Sequence, residues 1–231
     1  MVALAALREH ELSVGTGLTT LKGEPTMTTM TESIKEMFAG GTELHGLHDL
    51  FLDMLRDIYH GEKQLLKALP KMARYATSDK LRAAFETHRD QTEVHVERLE
   101  QVFEQLDTSA RGKTCEAIQG LIAEAEEAMD NAEGEVLDAA LVAAGQAVEH
   151  YEIARYGTLV AWAEELGFTA SSKLLDKTLQ EEKHADDVLN KLALAGGLNR
   201  LAAEAGGDMP AGAVAGKRAA GSRGSASHTK H

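Results

Sequence analysis

Apolar residues recur at steps of three and four along most of the chain, and the interruptions of that period divide it into five helical segments. The first, about residues 44 to 76, places Leu47, Phe51, Met54, Ile58, Leu65, Leu69 and Met72 on one stripe, with Pro70 a candidate kink near its end. The second opens at the cap candidates Ser78 and Asp79 and carries Leu81, Phe85, Leu99 and Val102. A shorter helix, about Cys115 to Asn131, holds Ile118, Leu121, Ile122 and Ala125 and is expected to cross between two helix pairs. The fourth runs from about Glu135 to Leu166, with Val142, Gly145, Tyr156, Leu159 and Ala163 inward, and stops at Gly167. The fifth, about Ser171 to Ala195, is read with Leu174, Thr178, Ala185, Val188 and Leu192 facing the core.

The period fails at both ends. Residues 1–42 scatter Gly and Thr without a sustained pattern and are expected to form a loose leader, with Met27 or Met30 as alternative starts. Residues 197–231 turn to Gly, Ala and Ser with scattered basic groups, the composition of a flexible tail. The folded domain is therefore placed at 43–196.

Polar residues stand inside the stripes where apolar ones belong. Glu62 interrupts the first; His88, Thr92 and His95 occupy the middle of the second; Glu149 and Glu152 lie in the fourth; and Glu181, with His184 three residues on, breaks the fifth. A buried carboxylate without a partner is costly, so several at one level of a core call for protons, cationic side chains or metal. No Lys or Arg falls on those stripe positions, whereas carboxylates with imidazoles suit iron or manganese. The candidate ligands are Glu62, His95, Glu149, Glu152, Glu181 and His184, with His88 read as a neighbour that hydrogen-bonds them. Glu182 is read as facing solvent unless the fifth helix turns by part of a turn. Tyr59, Tyr151 and Tyr156 lie near the same level and are read mainly as core. The spacing of Glu62 to His95 and of Glu149 to His184 makes the chain look like a duplicated helix hairpin.

Composition narrows the class. Aromatics are 4% and prolines three in 231 residues, against 43% hydrophobic residues, which favours an all-α domain with a real core. A net charge of -13 opposes binding to nucleic acid or anionic membrane, apart from weak attachment through Lys217, Arg218, Arg223 and Lys230 in the tail. A single cysteine, Cys115, leaves no intrachain disulfide and no Cys-x-x-Cys metal site, consistent with a reducing cytoplasm; it is read as a small buried hydrophobe. No apolar run approaches the ~20 residues of a spanning helix. Leu50, Leu66 and Leu159 are candidate exposed flanks for a homodimer.

The stretches "DIYHGEKQLLKALPKMARYA", "VEHYEIARYGTL" and "LQEEKHADDVLNKLA" resemble the YciE/YciF family of ferritin-like stress proteins, over about residues 44 to 195. More distantly the helices are similar to those of rubrerythrin. The resemblance implies a ferritin-like four-helix bundle with an additional crossover helix and a dinuclear site holding two irons, with manganese an alternative. It matches Glu62 to the first-helix Glu, His95 to the His of a Glu-x-x-His whose Glu is Thr92 here, Glu149 and Glu152 to Glu-x-x-Glu, and Glu181 and His184 to the last Glu-x-x-His. On that mapping Glu149 and one of Glu62 or Glu181 bridge the metals, and His95 and His184 cap them. Gln91, His88 or water are the alternatives at the Thr92 position, with Asp90 or Glu93 only if the helix is rotated. The implied chemistry is oxidation of Fe(II) or reduction of peroxide or oxygen, without a rubredoxin-type domain to supply electrons. The competing expectation is a structural or partner-binding bundle that has lost full metal chemistry; iron storage in a shell has no cage-forming surface to support it.

Overall fold

The computed structural model describes residues 44–194 and 197–208, and the leader and the end of the tail lie outside them. Six helices are described: α1 (Leu47–Tyr75), α2 (Asp79–Gln105), α3 (Glu116–Asn131), α4 (Gly134–Glu165), α5 (Thr169–Ala193) and α6 (Leu198–Gly206). Helices α1 and α2 form one hairpin and α4 and α5 the other. The two pack with α1 against α4 and α2 against α5, while α3 joins them across the outside of α1 and α4. This is the expected ferritin-like four-helix bundle with a crossover helix.

The turns show why the hairpins close where they do. Ser78 caps α2 by accepting from the Leu81 amide, 3.4 Å. The buried carboxylate of Asp138 on α4 accepts from Thr77 N, Thr77 Oγ1 and Ser78 N at 2.6–2.8 Å, tying the first turn to the second hairpin. Helix α4 ends at Gly167, whose φ of 76° suits a residue without Cβ. Phe168 N donates to Ala163 O and Gly167 N to Glu164 O, so the last carbonyls of the helix are satisfied. Helix α1 continues through Pro70 for five further residues.

Two apolar cores lie along the bundle. Leu65, Leu69, Met72, Phe85, Ile118, Leu141 and Leu189 belong to one; Phe51, Leu55, Leu99, Phe103, Leu159 and Leu175 to the other. The polar stripe residues separate them. Cys115 is fully buried at the start of α3, as its apolar reading requires.

Three expectations change. Helix α5 buries Leu175, Thr178, Leu179, Glu182, Leu189 and Ala193, so its inward face is rotated about 100°, one residue, from the stripe through Glu181 and Ala185. Leu174, Val188 and Leu192 on the expected stripe are half-buried. Both stripes are apolar enough to face a core, and packing against α2 and α4 chooses between them. The bundle also gains α6 from the residues read as the start of the tail; Leu198 anchors it and Gly207, with φ 76°, terminates it. Of the flank candidates, Leu50 is exposed, Leu66 is half-buried and Leu159 is wholly inside the core.

Candidate metal centre

The polar layer is built from one or two residues of each bundle helix. Helix α1 contributes Glu62, α2 contributes His88 and His95, α4 contributes Glu149 and Glu152, and α5 contributes Glu182; all are buried, between 0% and 5% exposed. The i,i+3 spacing of Glu149 and Glu152 points both inward from α4. His88 and His95, two turns apart on α2, stand with ring centroids 6.2 Å apart.

Two groups of ligand-type atoms converge, each group lying within 4.8 Å: His88, Glu149, Glu152 and Glu182 in one, and Glu62, His95 and Glu182 in the other. Glu182 is common to both. Contacts within each group are short without being aligned as hydrogen bonds: His95 Nδ1 is 3.0 Å from Glu182 Oε1 and 3.5 Å from Glu62 Oε1, and His88 Nε2 is 3.2 Å from Glu149 Oε1. Nine buried side-chain atoms of these six residues have no hydrogen-bond partner. Buried polar atoms are nearly always hydrogen-bonded, so nine in one layer that approach one another without hydrogen-bond geometry mark a place where a further partner fits between them.

Residues outside the layer hold it in position. His95 Nε2 pairs with Glu181 Oε2 at 2.9 Å, which turns Nδ1 toward Glu62 and Glu182. Glu181 is itself gripped by both terminal nitrogens of Arg98, at 2.5 and 2.9 Å, and Arg98 also reaches Thr178 Oγ1. An imidazole oriented by a carboxylate on its far nitrogen is the arrangement that fixes metal-ligating histidines. On the other side the Tyr156 hydroxyl donates to Glu62 Oε1.

Charge explains the protonation pattern. Burial, and next the carboxylate of Glu182, push Glu149 well above the ordinary carboxylate range. Burial, then Glu62 and Glu182, do the same to Glu152. Burial alone would lower His95, but the charge of Glu62 and the contact with Glu182 outweigh it and raise His95 to about 11. Glu182, against the cost of its burial, is held below the usual range by His95 and His88. Glu181 is lowered likewise by Arg98 and His95. Without metal, Glu149, Glu152 and His95 hold protons that offset part of the layer's negative charge.

Of the six candidates named from the sequence, the structure brings together Glu62, His95, Glu149 and Glu152. Glu181 and His184 are not among them. The one-residue rotation of α5 makes Glu181 the partner of Arg98 and His95, 33% exposed at its side chain, and turns His184 to the exposed side. Their inward places are taken by Glu182 and His88, and Glu182, rather than Glu149 with Glu62 or Glu181, is the carboxylate positioned between the groups. Thr92 is buried in the layer, but its hydroxyl donates to His88 O at 2.9 Å and so is spent on its own helix. A stripe drawn through Leu175, Leu179, Glu182, Leu189 and Ala193 was the signal for Glu182; His88 already lay on the α2 stripe. Tyr151 and Tyr59 face away from the two groups, donating to Asp57 and Glu100.

With this geometry in view, comparison with known proteins is decisive about ancestry. Residues 46–202 match the family described as a domain of unknown function, DUF892. The chain belongs to this family. It is 47% identical over 150 residues to protein YciF of Escherichia coli K12, spanning 64% of this chain and 90% of that protein. Among solved structures, the E. coli stress protein YciF superposes with a TM-score of 0.63 at 44% identity, covering 65% of this chain and 96% of that one. YcfI, a proposed structural protein of Rhodopseudomonas palustris, superposes with a TM-score of 0.65 at 50% identity, covering 67% and 99%. A Xanthomonas campestris protein at 20% identity and a TM-score of 0.54 shares the fold. No described helix of this DUF892 chain is long and apolar enough to cross a membrane.

Proposed function

We propose that this DUF892 chain is a cytoplasmic stress-protective protein that holds two metal ions in the polar layer, iron first and manganese as the alternative, and supports oxidation of Fe(II) or reduction of peroxide or oxygen. The observation that carries the reading is the set of nine orphaned ligand-type atoms at one level of the bundle. Charge agrees with it: the four carboxylates of Glu62, Glu149, Glu152 and Glu182 balance two divalent cations when both imidazoles are neutral. The donor set, oxygen with imidazole nitrogen and no thiolate, suits iron or manganese. The stress role is supported by the relative YciF, which is described as a stress protein.

His88, Glu149 and Glu152 would hold one ion, Glu62 and His95 the other, with Glu182 serving both. Bound iron supplies one-electron redox chemistry. The chain's own part is to present dry, preoriented donors. Arg98 keeps Glu181 ionised, and Glu181 would hold the proton of His95 Nε2, so that Nδ1 is the nitrogen that would give up its proton to a metal. Tyr156 orients Glu62 by donating to Oε1 and leaves Oε2 to the site.

Metal content per chain tests this directly, by elemental analysis of the wild type and Glu182→Ala after anaerobic Fe(II) reconstitution. About two ions in the wild type and one or none in the variant are expected. Wild-type protein that takes up no metal overturns the proposal. A second reading, a structural bundle without metal chemistry, draws on Thr92, which stands in the layer but offers it no ligand; it requires thermal stability indifferent to chelator.

A further inference from the structure

One feature of the bundle has a size that Fe(II), oxygen and peroxide do not require. A cavity of about 480 Å³ opens between α2 and α5, and its inner end is formed by His88 and Glu149 of the polar layer. A water-sized molecule needs about 30 Å³, whereas organic ligands occupy sites of roughly 300–1,000 Å³. The wall is mostly apolar, made by Ala84, Val188 and Leu192 among others with the hydroxyl residue Thr87, and Lys80 lines it eight residues before His88 on α2. His184, which faces outward rather than into the layer, lines the same cavity. Lys80 and His88, which both line it, are eight residues apart on α2, about 12 Å along the helix.

We propose that this cavity binds a small amphipathic organic molecule, an apolar chain of about eight to ten carbons lying along α2 and α5, with an uncharged oxygen-bearing end against His88 and Glu149. Two observations select that class. The inner end is lined by His88, Glu149 and Gln91, side chains that donate and accept hydrogen bonds, so it rewards a polar head. Among the described residues Lys80 is the one Lys or Arg that lines the cavity, so nothing at the inner end pairs with an anion, and the head is a hydroxyl, carbonyl or hydroperoxide oxygen. An anionic group is accommodated only at the outer end, beside Lys80. The placement of the head next to the proposed metals rests on the metal reading; occupancy of the cavity does not.

The test is calorimetric titration of the full chain, both chelator-treated and Fe(II)-reconstituted, with 1-octanol and with octanoate. Saturable binding of one molecule per chain is expected. Val188→Trp, which fills the cavity from its half-buried wall, is expected to weaken both ligands by at least about tenfold. Lys80→Glu is expected to weaken octanoate by about threefold or more and to leave octanol nearly unchanged. Should Val188→Trp fail to fold, judged by its helical circular dichroism, Ala84→Leu is the milder filling variant. No saturable binding, or binding that the folded filling variants do not alter, overturns the inference. So does self-association of the wild type that Val188→Trp abolishes while neither ligand binds, because the cavity would then belong to a second copy. Octanol binding retained by a chain that takes up no metal supports the cavity and counts against the metal reading alone.

Discussion

Removing metal and raising pH together should expose what the polar layer does when it must neutralise itself. His95 is raised from 6.5 to about 11 in the folded chain without metal. Its contribution to stability is complete below about 6.5, the unfolded value, and is lost progressively as pH rises toward the folded one. Each pH unit in that window removes about 1.4 kcal/mol, so the step from pH 6.5 to 8 removes about 2 kcal/mol through His95 alone. Glu149 and Glu152, raised by burial, hold protons that the unfolded chain has released above its ordinary carboxylate range, so they act in the same direction. Glu181 and Glu182 are lowered, and their contributions are lost only on the acid side, outside this window. For a chain of this size about 2 kcal/mol corresponds to roughly 4–8 °C in Tm. Bound metal reverses the dependence, because protons compete with it for the same lone pairs. Thermal unfolding followed by circular dichroism at pH 6.5, 7 and 8 should therefore show Tm falling by at least that much in chelated protein. The stabilisation by Fe(II) or Mn(II) should widen over the same range. A chelated Tm that is flat or rising between pH 6.5 and 8 would refute the reasoning, since the layer would then not be storing protons.

Three further outcomes follow from named contacts. Glu181→Gln, which keeps the shape but loses the charge that orients His95, should retain the metal stoichiometry and weaken affinity by about 10–100-fold; competition with a chelator of known affinity measures it, and loss of an ion would make Glu181 a ligand instead. Asp138→Ala removes the acceptor for Thr77 N, Thr77 Oγ1 and Ser78 N and should cost about 2–4 kcal/mol in urea unfolding, because two backbone donors at the α1–α2 turn lose their partner. Gly61→Ala places a Cβ 3.0 Å from Ile118 Cγ1, a fully buried β-branched side chain with little room to give. Overpacking of about 1–3 kcal/mol should exceed the ~1 kcal/mol gained in helix propensity, so the same unfolding measurement should show a net loss.

Periodicity and composition alone were enough to reach the all-α class, the approximate places of five helical segments and the polar layer itself. These are local properties: the stripe through Glu62, the one through His88, Thr92 and His95, and the pair Glu149 and Glu152 each point to one side of their own helix whatever that helix meets. Helix α5 is different because it carries two adjacent stripes of similar apolar character, one through Leu174, Val188 and Leu192 and one through Leu175, Leu179 and Leu189. Only contact with α2 and α4 decides between them, and a single residue of rotation exchanges Glu181 for Glu182 and turns His184 outward. The same holds for α6: nine residues are too short to be stable by propensity alone, and the helix exists because α4 and α5 offer it a surface. Sequence by itself therefore determined that carboxylates and imidazoles gather at one level. Which of them face one another, and which grip their neighbours from behind, was settled by packing between helices, where the energy of rotating one stripe against another is decided.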